Sequence, residues 1–358
     1  MDMKINRFRG IPPGLISGMN RRQWLGAILG AGSLGLGGRK AVSQSMMQLV
    51  KMPGGEIWGK PIPIDQECNV QLFSPERPAG TSKSVLADIP LIFLFGGNGM
   101  GAVVKSSQAL QLAGELQSRG CAAAVLNHPE LQTRMDFHRS IIGPMHKIIG
   151  SDWAKQNCID TQKIGAAGFS AGGLIATLLG TVYHRELNFK IQAALNYYGP
   201  VDLRQWFAFH MVRAGEMQYD SFYDGLRGPD EIGHSANGAI RCRDLSQRVI
   251  LKVAQNLGGM APGRLHPFSH ECLWNDRSDC GLAEPMPVMG IFGTKDDNCD
   301  SVFQSRLLMR MAEKTGARHE VRIYQGLHGV GWDACPESVD WMIQQLESAD
   351  RSPATLIA

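Results

Sequence analysis

The sequence predicts an α/β protein with a mostly parallel, doubly wound sheet. Three observations carry that prediction. Short apolar runs of strand length alternate with stretches of helical spacing over about 250 residues. The runs are almost wholly apolar, as expected of strands covered on both faces by helices. Glycine clusters stand just after several of them, where a strand must turn into the next element. Pro90 to Phe95 is one such strand, and it runs into Gly96-Gly97-Asn98-Gly99-Met100-Gly101. Val103 to Arg119 has helical spacing, with Leu110, Leu112, Ala113 and Leu116 on one side. Ala122 to Leu126, opened by Cys121, is the next strand. Asp136 to Gln156 reads as helix, which Gly143-Pro144 should kink or split, because proline lacks the N–H that the helical ladder needs. Ile191 to Tyr197 and Pro287 to Phe292 are buried-strand patterns, and His319 to Tyr324 is an alternating one. Cys299 to Thr315 and Ser338 to Leu346 supply the last two helices.

The densest signal lies at Lys163-Ile164-Gly165-Ala166-Ala167-Gly168-Phe169-Ser170-Ala171-Gly172-Gly173. A strand-like run ends in Gly-x-Ser-x-Gly and passes directly into Leu174 to Leu179, which reads as helix. This arrangement resembles the nucleophile elbow of the α/β-hydrolases. The resemblance implies a strained turn that lifts Oγ of Ser170 above the sheet and places the N–H of Ala171 beside it. The bland alternative is an ordinary strand-to-helix turn whose serine caps the helix. The same resemblance implies a chain order of serine, acid, histidine. Of the ten histidines only His319 and His328 follow the expected acid. His319 sits in an alternating strand and is expected at the surface. His328, in Gly326-Leu327-His328-Gly329-Val330-Gly331, lies in a loop able to approach other chain segments closely, and is the expected base. The expected acid is Asp296, three residues past Gly293 at the end of a strand. Asp297 is an alternative, otherwise a turn or helix-capping residue, and Asp202 after the Ile191–Tyr197 run is another. A serine hydroxyl needs an imidazole to take its proton, and the imidazole needs a carboxylate to fix its tautomer and stabilise its cation.

Acyl transfer also needs donors for the developing oxyanion. The glycine-rich loop after Phe95 assigns one to the N–H of Gly97 or of Asn98, and Ala171 supplies the other. Phe95 stands where many relatives carry the histidine of a His-Gly-Gly loop opening. A phosphate-cradling loop is the rival, but no Gly-Lys-Ser/Thr follows. Residues 201 to about 285 break the alternation and are rich in large apolar side chains, Trp206 and Phe209 among them. They read as a cap over the strand ends, where ligands of open α/β sheets bind. Asn98, Tyr198 and Trp206 are the expected substrate contacts.

From about residue 88 to 347 the chain resembles the dienelactone-hydrolase-like and acetyl-xylan-esterase-like α/β-hydrolases. Trp153-Ala154-Lys155-Gln156-Asn157-Cys158-Ile159-Asp160 leading into Gly168-Phe169-Ser170-Ala171-Gly172-Gly173 carries the second likeness, together with Asp296 and His328. The resemblance implies a cofactor-free serine esterase acting on a small-molecule or carbohydrate ester. Dienelactone hydrolases use a cysteine nucleophile, so that activity is not implied. Other acyl hydrolases (lipase, amidase, peptidase), a perhydrolase and a catalytically silent binding protein remain as alternatives.

Residues 1–43 are set apart. Asn20-Arg21-Arg22-Gln23-Trp24-Leu25-Gly26 resembles a twin-arginine export signal, followed by a Gly-rich apolar stretch, Arg39-Lys40 and a small-residue site at Ala41-Val42-Ser43. Met19 is a second candidate start. The stretch is too short and Gly-rich for a stable membrane span. The expectation is an exported protein, handed to the twin-arginine machinery, whose hydrolase domain occupies 44–358. The chain carries 36 Lys/Arg and 33 Asp/Glu, net +3. Seven of the basic residues and one acid lie in 1–43, so the remainder holds 29 against 32, net −3. That balance argues against a nucleic-acid partner. The eight cysteines, all beyond residue 43, contain no Cys-x-x-Cys, which argues against a structural metal. An even count in an exported chain suggests disulfides, with Cys299–Cys335 and Cys272–Cys280 the first pairs to test.

Overall fold

The computed structural model describes residues 62–63, 69–75, 88–97, 107–127, 134–214 and 286–348. They contain an eight-stranded sheet: β1 (Ile62–Pro63), β2 (Asn69–Phe73), β3 (Ile89–Phe95), β4 (Ala122–Asn127), β5 (Ile159–Phe169), β6 (Ile191–Tyr197), β7 (Val288–Gly293) and β8 (Glu320–Tyr324). The spatial order is β1-β2-β4-β3-β5-β6-β7-β8. β2 runs antiparallel to both β1 and β4, and every pairing from β4 to β8 is parallel. The helices are α1 (Ser107–Ser118), α2 (Arg134–Phe137), α3 (Gly143–Ile149), α4 (Asp152–Gln156), α5 (Ala171–Thr181), α6 (Leu203–Ala214), α7 (Ser301–Thr315) and α8 (Glu337–Ser348).

The central strands β3 and β7 are apolar throughout because both faces of the sheet are covered. Along β3, Leu91, Phe93 and Phe95 point into one cluster, with Leu174 and Leu178 of α5 and Phe303 and Leu307 of α7. Ile92 and Leu94 point into the other, with Leu112 and Leu116 of α1 and Val339 and Met342 of α8. This period of two places helices on opposite faces. The sheet is therefore doubly wound, as the alternation predicts. α5 is buried along its whole length, which fits its all-apolar and small composition.

The expected break at Gly143-Pro144 takes a definite form. Residues His138–Ile142 between α2 and α3 form a π-helical segment, and the N–H of Gly143 reaches back to the carbonyl of His138. Pro144 has no N–H for the carbonyl of Ser140 and its ring crowds that group, so the ladder slips by one residue here. The chain then resumes as α3 and α4, where Ser151 caps α4 by accepting from the N–H of Ala154.

Several expectations are corrected. β1 and β2 add an antiparallel edge that the sequence reading did not contain; β2 has too few apolar positions to stand out. The strand leading to Ser170 begins at Ile159, and its first five residues are half-buried or exposed. Cys299 and Cys335 are free thiols, not a pair. They belong to the clusters on opposite sides of the sheet, which no disulfide can bridge. His319 is half-buried and accepts the N–H of Val288 at the amino end of β7, away from the strand ends that carry Ser170. The expected export signal, Cys272–Cys280, residues 103–106 of the first helix and the cap beyond residue 214 lie outside the described residues. Among the described residues no helix is long and apolar enough to cross a membrane.

Candidate active site

β5 delivers Ser170 at φ 53°, ψ −120°, a backbone region that costs a non-glycine residue on the order of 1–3 kcal/mol. The surroundings hold it there. A Cβ on Gly168 would lie 2.1 Å from the carbonyl oxygen of Gly172, and one on Gly172 would lie 2.3 Å from that of Phe95. The two glycines of Gly-x-Ser-x-Gly are thus required by close backbone approach on either side of the serine. The N–H of Ser170 donates to the carbonyl of Tyr197 on β6 (2.9 Å), which ties the turn to the sheet. The serine side chain makes no capping bond to α5, so the helix-cap alternative fails. Its Oγ instead lies 3.0 Å from Nε2 of His328.

His328 arrives from the far edge of the sheet, on the loop after β8. The exits of β7 and β8 are joined by two bonds: Thr294 N–H to the carbonyl of Tyr324 and Lys295 N–H to that of Gly326, each 2.8 Å. Nδ1 of His328 lies 2.8 Å from Oδ2 of Asp296. A carboxylate there accepts the Nδ1 proton and leaves the Nε2 lone pair facing the serine hydroxyl. Asp296 is buried, at 4% exposure, and its other oxygen accepts the N–H groups of Asn298 (2.9 Å) and Cys299 (2.8 Å). Three donors therefore compensate a charge removed from water. Of the three expected acids it is Asp296 that meets the imidazole. Asp202 is buried at the start of α6, where its carboxylate accepts the N–H of Gln205 (2.9 Å).

Gly97 lies against the elbow. A Cβ there would sit 2.7 Å from the Cβ of Ser170 and 2.4 Å from the carbonyl oxygen of Phe169. Ala171 opens α5, so its N–H is one of the donors left without a partner inside the helix. Asn98 lies outside the described residues. Tyr198, at φ 45°, makes a T-shaped ring contact with His328, with centroids 4.8 Å apart. Trp206 is buried, and its indole N–H donates to the backbone oxygen of Asn298 (2.7 Å), so it braces the acid loop.

Four residues here were not singled out from sequence for these contacts. Gln108 links Tyr198 to the His328 loop. His210 shares the Asn298 oxygen with Trp206 at 2.9 Å. The side-chain nitrogen of Asn298 lies 3.4 Å from Nε2 of His328. Cys299 is buried beside Asp296, and burial followed by that carboxylate pushes its thiol well above its ordinary value. The donors of Asp296, Cys299 and His328 lie within 4.8 Å of one another, a set of types that binds metals. Asp296 and His328 spend theirs on each other, and the thiol is held protonated.

An elbow serine after the fifth strand, an acid after the seventh and a histidine after the eighth, on this strand order, decide the architecture. The fold is that of the α/β-hydrolases. No protein-family model matches the chain, and no curated protein matches it. Among solved structures it is similar to an acylaminoacyl peptidase complexed with a chloromethyl ketone, at 16% identity and TM-score 0.51 over 80% of this chain and 40% of that one. It is similar to the acylaminoacyl peptidase of Pyrococcus horikoshii at 14% identity and TM-score 0.50, over 84% of this chain and 42% of that one. It is also similar to a thermophilic esterase of Thermogutta terrifontis at 16% identity and TM-score 0.50, over 86% of this chain and 96% of that one. The chain thus spans about two fifths of the peptidases' length and nearly all of the esterase's.

Proposed function

We propose that this α/β-hydrolase-fold protein is a serine hydrolase that cleaves a carboxylic ester through an acyl-enzyme. The observation that carries the reading is the series Ser170 Oγ, His328 Nε2, His328 Nδ1, Asp296 Oδ2, closed by contacts of 3.0 and 2.8 Å. In this reading His328 takes the Ser170 proton as Oγ attacks the carbonyl carbon. The oxyanion is received by the N–H groups of Gly97 and Ala171. The imidazolium, held by Asp296, returns its proton to the departing alcohol. Water then repeats the sequence on the acyl-enzyme. The ester preference rests on the sequence likeness to acetyl-xylan-esterase-like enzymes. A peptidase, amidase or lipase would use the same residues. The motif at Arg21-Arg22 supports export by the twin-arginine route and action outside the cytoplasm. If Arg21 and Arg22 are both changed to Lys, the expected product is an unprocessed cytoplasmic precursor; a processed periplasmic form would remove that part of the reading.

Ser170→Ala tests the chemistry. Hydrolysis of p-nitrophenyl acetate should fall on the order of 10³-fold or more, with loss of fluorophosphonate labelling and an unchanged fold. Turnover like that of the wild type would end the proposal. Comparing p-nitrophenyl esters of graded acyl length, acetylated xylan and peptide substrates then separates esterase from peptidase.

A further inference from the structure

The base is held from a third direction that the triad does not include. Tyr198 opens the turn after β6, with its ring in a T-shaped contact with the His328 imidazole. Its hydroxyl donates to Oε1 of Gln108, at the start of α1. Nε2 of Gln108 donates onward to the carbonyl of Gly329, the residue after His328 (3.2 Å). That second bond fixes the amide orientation, because only the nitrogen can donate to a carbonyl. Burial raises the Tyr198 phenol above its ordinary range, so the hydroxyl keeps its proton and remains the donor. The tyrosine itself is pinned. Its N–H donates to the carbonyl of Ile291 (2.7 Å), and the next N–H, of Gly199, donates to Oδ1 of Asn196 (2.8 Å). These bonds hold a non-glycine residue at φ 45°, a conformation that surrounding structure must impose.

Resting on the serine-hydrolase reading, we propose that Tyr198 and Gln108 form a positioning pair that sets the place and tilt of His328. The pair joins the turn after β6, the start of the helix after β3 and the loop after β8. It fixes the most exposed member of the triad. The Tyr198 hydroxyl gives its proton to Gln108, and through that bond the pair orients the base. A misplaced imidazole slows proton transfer in the transition state and leaves ground-state binding alone.

The test uses Gln108→Ala, Gln108→Glu, Tyr198→Phe and the Tyr198→Phe/Gln108→Ala double variant. Gln108→Glu keeps an acceptor for Tyr198 but removes the donor to Gly329. Each single variant is expected to lower kcat for p-nitrophenyl acetate by about tenfold at unchanged KM. The double variant should lose no more than the worse single, since the two bonds lie in series. The low-field NMR signal of the proton between His328 and Asp296 should exchange with water faster in each. Wild-type kcat and exchange in Gln108→Ala would overturn the proposal, as would a rise in KM alone or losses that multiply in the double variant. If Gln108→Ala does not fold, Tyr198→Phe, which removes one oxygen, decides alone. A wild-type protein inert toward both the ester and a fluorophosphonate would sink the hydrolase reading, while the exchange measurement would still judge the positioning pair.

Discussion

The loop that carries the acid and the loop that carries the base leave neighbouring strands at the same edge, yet they are built in opposite ways. The acid loop buries Asp296 and Cys299 and is tied by fixed donors. Asp296 receives two backbone N–H groups from the next turn, and the oxygen of Asn298 receives the ring N–H groups of Trp206 and His210. Asp300 ends the loop by capping α7. The base loop is exposed, with Leu327 at 64%, and it is punctuated by Gly326, Gly329 and Gly331. The difference matches the two jobs. A carboxylate that must stay ionised and aimed gains from fixed donors and exclusion of water. In the proposed reading the imidazole exchanges a proton with the serine and the leaving group, so it stays open to the site and is aimed by side chains from outside its own loop.

The comparison breaks first at the acid. Asp296→Asn keeps the shape of the side chain but loses the charge, so the imidazolium is unsupported and the wrong tautomer competes. The expected loss in kcat is about 10⁴-fold, the scale seen for that change in a serine protease. The two N–H groups from Asn298 and Cys299 favour the carboxylate over the amide, so the variant should also be less stable. Stopped-flow or steady-state kinetics on folded protein, with a thermal melt beside them, checks both. Near-native kcat would move the acid elsewhere, and Asp202 would be examined next.

The base loop should break more gently. Gly329 sits at φ 118°, where a Cβ is strained although nothing else lies within 4 Å of it. Gly329→Ala therefore costs conformation, not space, by an amount on the order of 1–3 kcal/mol. The loop can relieve that strain by shifting, and His328 would shift with it. A fall in kcat of about tenfold, with a smaller change in melting temperature, is the expected pattern. The reverse pattern, a large loss of stability at normal kcat, would show that the loop is rigid after all.

Much of this site is legible in the sequence. Gly168 and Gly172 gave away the elbow because the close approaches at 2.1 and 2.3 Å admit no other residue. Asp296 and His328 followed from chain order and from their places after strand ends. The core strands were legible because burial on both faces leaves few polar positions, Asn196 of β6 being one that hydrogen bonds satisfy. What was hidden depends on partners far apart in sequence. Gln108 is an unremarkable polar residue at a helix start until the turn after β6 and the loop after β8 are brought to it. Trp206 looked like a pocket aromatic because its hydrophobicity shows in sequence, while the commitment of its N–H to Asn298 does not. Cys299 and Cys335 looked like partners by parity, and the sheet lies between them.

The next two substitutions stay within the acid loop. Asp297 is half-buried and adjacent to Asp296, but its neighbour makes the contact with Nδ1 of His328. Asp297→Asn should cost about tenfold at most in kcat, through loss of a supporting charge near the imidazolium. If Asp297→Asn proves the dead variant and Asp296→Asn the mild one, the assignment is off by one residue.

The smallest effect is expected at the far end of the same loop. Oδ1 of Asp300 accepts the N–H groups of Val302 (3.1 Å) and Phe303 (2.9 Å) at the start of α7. Asp300→Ala leaves those donors without their cap, and loss of a cap costs about 1 kcal/mol of stability. In a domain of about 300 residues that lowers Tm by roughly 1.5–2 °C. The five bonds on Asp296 and the Asn298 carbonyl do not pass through the Asp300 side chain. The acid should therefore keep its aim, and kcat at 25 °C should stay within about twofold of wild type. If kcat instead drops as far as in Asp297→Asn, the rigidity of the acid loop is borrowed from α7. The contrast between the two loops would then rest on the helix that follows one of them, not on the bonds inside it.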